Sequence, residues 1–92
     1  MGHAISTVFI DNKRTRVTEW KFPPRSETGQ HRHEYDYIVV PMVTGQIRVM
    51  TPNNETFSEL KVGSPYFRYA GAIHNVISTN DYEFAFIEIE FK

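Results

Sequence analysis

The chain has 92 residues, 40% of them apolar and 14% aromatic, enough for one domain with a small core. A net charge of −1, with ten Lys and Arg scattered from Lys13 to Lys92, leaves no basic run to attract nucleic acid or an anionic membrane surface. The absence of cysteine excludes disulfides, thiolate metal ligands and a cysteine nucleophile.

Turn signals recur every eight to twelve residues, and the runs between them are β-branched and aromatic. Ala4 to Ile10 closes at Asp11-Asn12-Lys13, and Arg14 to Phe22 closes at Pro23-Pro24. Residues 23 to 30 read as a polar loop. Tyr35 to Val40 and Gln46 to Thr51 flank Thr44-Gly45, and Pro52-Asn53-Asn54 leads into Thr56 to Val62. Gly63-Ser64-Pro65 precedes Tyr66 to Tyr69, Ala70-Gly71 precedes Ile73 to Ser78, and Asn80-Asp81 introduces Tyr82 to Phe91. About eight short strands with little or no helix predict a single all-β domain over residues 1–92, a sandwich or barrel. No run approaches about 18 consecutive apolar residues, and no apolar leader opens the chain, so a cytoplasmic protein is expected.

The chemistry-bearing residues are His31 and His33, with His74 forty-one residues after His33. Two histidines two apart on a strand share a face. Taken alone, such a pair is usually a surface pair. A third histidine from a distant strand makes it a candidate site for a divalent first-row metal (Fe, Ni, Mn or Zn), because neutral imidazole suits all of them. Gly45, Gly63 and Gly71 read as positions needing either a positive φ or close backbone approach.

From about Trp20 to Phe91 the chain resembles a small bacterial single-domain cupin. Gly29-Gln30-His31-Arg32-His33, continuing through Glu34-Tyr35-Asp36-Tyr37-Ile38 to Gly45, is similar to that family's first motif. Gly63, Gly71 and His74 fall in the spacing of its second, with Tyr69 at the proline position and Ser78 at the asparagine position. The stretch His-Arg-His-Glu-Tyr-Asp-Tyr is also similar to small bacterial cupins associated with β-alanine degradation. The resemblance implies a double-stranded β-helix, or jelly-roll, barrel of eight strands with a histidine-held metal in its cavity. It also implies a homodimer formed by packing sheets.

The family's acidic ligand is missing. Counting forward from His33 places Tyr37 there, and counting back from Gly45 places Ile38, as though the hairpin held one extra residue; Pro41 is the expected site of a bulge. Three histidines with open positions are therefore expected, with Tyr37 as the catalytic candidate, a phenol within reach of a bound ligand. Asp36 is a candidate fourth ligand if a bulge follows His33 and reverses the alternation. Tyr35, Trp20, Arg68 and Glu88 are candidate pocket residues. Arg68 reads either as a clamp for a substrate carboxylate or, more simply, as half of a cross-strand ion pair. In the last strand Ala85, Ile87, Ile89 and Phe91 are expected to face the core. The opposite phase would turn Glu88 into the barrel.

The function expected is a small metal-binding cupin that acts on or binds a small organic acid, with dioxygenase-, isomerase- or lyase-type chemistry. A non-catalytic binding module without essential metal is the alternative, and the fold cannot choose between them.

Overall fold

The computed structural model describes residues 2–92 as eleven strands and, among those residues, no helix. In chain order they are β1 (Gly2–His3), β2 (Ile5–Asp11), β3 (Thr15–Phe22), β4 (Ser26–Glu27), β5 (His31–Arg32) and β6 (Asp36–Pro41). Next come β7 (Gly45–Met50), β8 (Glu55–Leu60), β9 (Tyr66–Arg68), β10 (Ile73–Ser78) and β11 (Phe84–Phe91). The sequence predicts about eight strands, and the structure corrects that number. The three additional strands, β1, β4 and β5, are two residues each, too short to show an alternation that a sequence pattern could reveal.

Two sheets face each other in a jelly-roll barrel. One runs β1-β4-β10-β7-β8, with β5 also paired to β10; the other runs β2-β3-β11-β6-β9. Every pairing is antiparallel except β1 with β4. Phe22, Tyr37, Val39, Ile47, Leu60, Val76, Phe84 and Phe86 form the buried core between the sheets.

The phase of β11 is opposite to the expected one. Phe84, Phe86, Glu88 and Glu90 are buried, whereas Ile87 and Ile89 are half-buried and Phe91 is exposed. Phe84 is paired with Phe22 on β3, and the Phe22 ring lies 5.8 Å from Phe84 and 5.4 Å from Phe86. A buried aromatic side chain removes about 150–250 Å² from water, more than the alternative Ala85 and Ile87 offer. The aromatic phase therefore takes the core and carries Glu88 and Glu90 inward with it. Phe84 and Phe86 thus face the core rather than the outer surface. Nor is there a bulge at Pro41, since β6 and β11 stay in register from Asp36↔Phe91 to Pro41↔Phe86. A register shift falls instead between Val8 and Ile10, where β2 pairs with β3.

Gly45 owes its place to close approach. A Cβ there would sit 2.8 Å from Cδ1 of Phe84 and 2.9 Å from the side-chain Nδ2 and Oδ1 of Asn80. Asn80 cannot withdraw, because its Oδ1 accepts the Gln46 N–H and its Nδ2 donates to the Gln46 carbonyl, both at 3.0 Å. Gly45→Ala should therefore destabilise the protein by about 1–3 kcal/mol. The check is a drop in the urea midpoint with an unchanged m-value.

Candidate metal centre

The site begins with one strand pairing. His31 on β5 lies directly opposite His74 on β10, so both side chains leave the same face. The pairing continues past β5, because the His33 N–H donates to the Ala72 carbonyl (2.9 Å) and the Gly71 N–H donates to the His33 carbonyl (2.8 Å). Gly71 turns the chain there with φ of 100°, a conformation L side chains rarely adopt. His33 is thereby held on the same side as the other two. Its Nε2 lies 3.1 Å from Nε2 of His31 and 3.0 Å from Nε2 of His74.

These imidazoles fit a metal ion. The His31 Nδ1 faces the Gly29 carbonyl at 2.9 Å, and a carbonyl only accepts, so Nδ1 carries the proton and Nε2 presents a bare lone pair. His33 and His74 are both held down to about 4, chiefly by burial. The neighbouring imidazoles add to the effect for both, and Arg68 adds to it for His74. All that favours the neutral, ligating form at physiological pH for these two rings. A metal about 2.1 Å from each nitrogen separates ligands by about 3.0 Å at right angles and about 3.4 Å in a tetrahedron. The two spacings at His33 match the right-angled value.

His33 and His74 stand at the wall of a cavity of about 190 Å³. Apolar side chains, including Val39, Ile47, Val76 and Phe86, form most of its surface, and the polar wall includes Tyr37, Tyr66, Arg68 and Glu88.

No family model matches the sequence. The chain is 46% identical over 89 residues to the β-alanine degradation protein BauB of Pseudomonas aeruginosa, covering 97% of this chain and 94% of the relative. A cupin domain from Bordetella pertussis superimposes with a TM-score of 0.97 at 54% identity, covering 99% of this chain and 95% of the other. This chain belongs to the cupin family. A more distant relative, the oxalate-binding protein of Thermotoga maritima, is 26% identical over 89 residues, covering 97% of this chain and 72% of that one.

The remaining predicted site residues of this cupin fall in different places. Tyr37 is buried with its ring stacked on His33, centroids 3.9 Å apart. Burial, then the Glu88 charge, pushes its phenol above the usual range, so it stays a neutral donor. Asp36 lies outside the histidine group: it is half-buried, and its Oδ1 accepts the Ala70 N–H at 2.8 Å. The alternation is not reversed after His33, for Tyr37 and Val39 carry the buried face of β6. Tyr35 sits beneath the Arg16 guanidinium, 6.0 Å from its ring centroid, and is not part of the cavity wall. Trp20 faces the His31 ring at 6.3 Å, nearly parallel to it. Arg68 lines the cavity over the Tyr66 ring (4.6 Å). The ion pair expected for it is absent among the described residues, where Arg16, Lys21, Arg48 and Lys92 make the salt bridges.

Glu88 is 7% exposed. Burial, and then the neighbouring Glu90 charge, raise its carboxyl to about 7, against the opposing pull of the Trp20 indole N–H. Asn75 and Thr28 were not anticipated. The Asn75 Oδ1 accepts the Gly29 N–H (3.0 Å), and the Thr28 hydroxyl lies 3.3 Å from the His31 Nδ1, so together they fix the loop that presents His31. Nothing in the sequence marks either residue, since both sit in polar stretches like many others.

A carboxyl whose folded value exceeds its unfolded one stabilises the fold fully below the unfolded value, and that contribution is lost as pH rises through the folded value. Metal-free wild type should therefore lose up to about 3 kcal/mol relative to Glu88→Gln as pH rises from below 4.5 through about 7. Denaturant titrations of both proteins in chelator across that range would show it, and parallel pH profiles would refute it.

Proposed function

We propose that this cupin binds a small carboxylate metabolite in the barrel cavity, at a divalent first-row metal held by His31, His33 and His74, and catalyses its conversion there. The observation that carries the reading is the approach of the His31 and His74 Nε2 atoms to that of His33, at 3.1 and 3.0 Å, beside a cavity that also presents an arginine with no salt bridge among the described residues. Such a metal would polarise a bound carboxylate or carbonyl and lower the pKa of bound water, chemistry consistent with a dioxygenase, isomerase or lyase.

The chain's own residues account for the rest. Arg68 faces the cavity with its guanidinium free of carboxylates and binds the anionic end of the ligand through paired N–H donors. The Tyr37 phenol, kept neutral by burial, donates a hydrogen bond to bound ligand. Val39, Ile47, Val76 and Phe86 exclude water around the reacting carbons. A cavity of about 190 Å³ admits only a ligand of few heavy atoms. The names of the Pseudomonas and Thermotoga relatives, β-alanine degradation and oxalate binding, are consistent with acids of that size.

A cytoplasmic homodimer belongs to the same proposal. β2 is an edge strand that exposes Ile5, Val8, Phe9 and Ile10, each at least half accessible. An apolar edge strand of seven residues invites cover by a second copy. Light scattering should give twice the chain mass for the wild type and the chain mass for Phe9→Glu; a wild-type monomer would refute the dimer.

Elemental analysis of tag-free protein should find close to one equivalent of Fe, Ni, Mn or Zn, absent from His74→Ala although that variant remains folded. In calorimetry with oxalate as probe, Arg68→Ala should bind roughly tenfold more weakly than the loaded wild type. Unchanged metal content in His74→Ala would overturn the site. An apo protein that refuses added metal but binds oxalate would instead favour a non-catalytic binding module.

A further inference from the structure

Resting on the three-histidine reading above, we propose that Glu88, from the last strand, is the carboxylate ligand of the metal. Its position follows from the sheet register. Across the five-stranded sheet, Glu88 is paired with Thr18 on β3 and Val39 on β6. Trp20, two residues beyond Thr18, is the ring that His31 faces, and Tyr37, two residues before Val39, is the ring on which His33 stacks. Trp20 is opposite Phe86 and Tyr37 is opposite Glu90, so Glu88 projects between the two rows that carry the histidine rings. Ligating atoms of His33, Glu88 and Glu90 all lie within 4.8 Å of one another, as do those of His31, His33 and His74. His33 joins the two groups.

Charge decides which carboxylate serves. Glu90 has a cation, since its Oε1 lies 3.7 Å from Nη1 of Arg16. Glu88 forms no salt bridge among the described residues, although it is 7% exposed and lines the cavity. A buried carboxylate without a cation is costly, and a divalent ion on the adjacent imidazoles would supply one. An oxygen donor beside three nitrogens also suits manganese and iron better than imidazoles alone. The family's position for an acidic ligand, on the strand carrying Tyr37, is then replaced by one on the strand hydrogen-bonded beside it.

The test titrates the full chain, stripped of metal, with Mn²⁺ and with Zn²⁺ in a calorimeter, and crystallises the Mn²⁺-loaded wild type. The wild type should bind one equivalent, Glu88→Gln should bind at least about tenfold more weakly, and Glu90→Gln should bind close to wild-type affinity. Melting of each variant in chelator separates loss of ligand from loss of fold. In the loaded crystal a Glu88 carboxylate oxygen should lie on the ion, a result that stands even if Glu88→Gln does not fold. A wild type that binds neither metal would overturn the histidine site and this assignment with it. A wild type that binds while Glu88→Gln binds equally well would overturn the role of Glu88 alone. So would a loaded crystal in which the carboxylate faces away from the ion.

Discussion

The phase of β11 is the constraint on which both core and site depend. The strand is hydrogen-bonded on one side to β3 and on the other to β6, so its inward residues form the middle of the barrel wall. Phe84 and Phe86 close against Phe22 at the lower end. With period two, the same phase delivers Glu88 and Glu90 to the inside four residues later. A slip of one residue would expose both phenyl rings and turn both carboxylates to solvent. Aromatic burial thus places a carboxylate where burial alone would never put one.

Against that wall, the opposite sheet contributes the histidines through a pairing of two residues. β5 is short, yet its register with β10 sets His31 against His74, and the turn at Gly71 brings His33 alongside. The rings are then braced from the other sheet, His31 by Trp20 and His33 by Tyr37. The site spans the gap between the sheets. Its electrostatics divide accordingly: His33 and His74 held neutral by burial, with Arg68 on one side and the buried Glu88 on another. In the proposed reading a carboxylate ligand would meet the Arg68 guanidinium, and a cation on the imidazoles would meet the Glu88 carboxylate.

Much of this was legible in the chain. Turn residues every eight to twelve positions gave the all-β class, and the glycine and histidine spacing pointed to a cupin barrel and to His31, His33 and His74 as one group. Alternation placed Tyr37 on the histidine side and Asp36 on the other, as the structure has them. Three features were not legible. The two-residue strands exist only because a partner pairs with them. Arg68 had an ion pair on paper because a charged strand residue usually finds one, whereas here its partner on β6 is Tyr37. The phase of β11 was ambiguous because both faces of that strand carry large apolar residues.

By itself, then, the sequence determined the class of fold and the three imidazoles, since turn chemistry and residue type are local properties. Only the tertiary structure decided that Glu88 faces the cavity, that Arg68 has no salt bridge among the described residues, and that the His31 and His74 nitrogens lie 3.0–3.1 Å from that of His33. Each of those depends on register between strands far apart in the chain. A period of two fixes which residues share a face, while the choice of face belongs to the packing of the two sheets against each other.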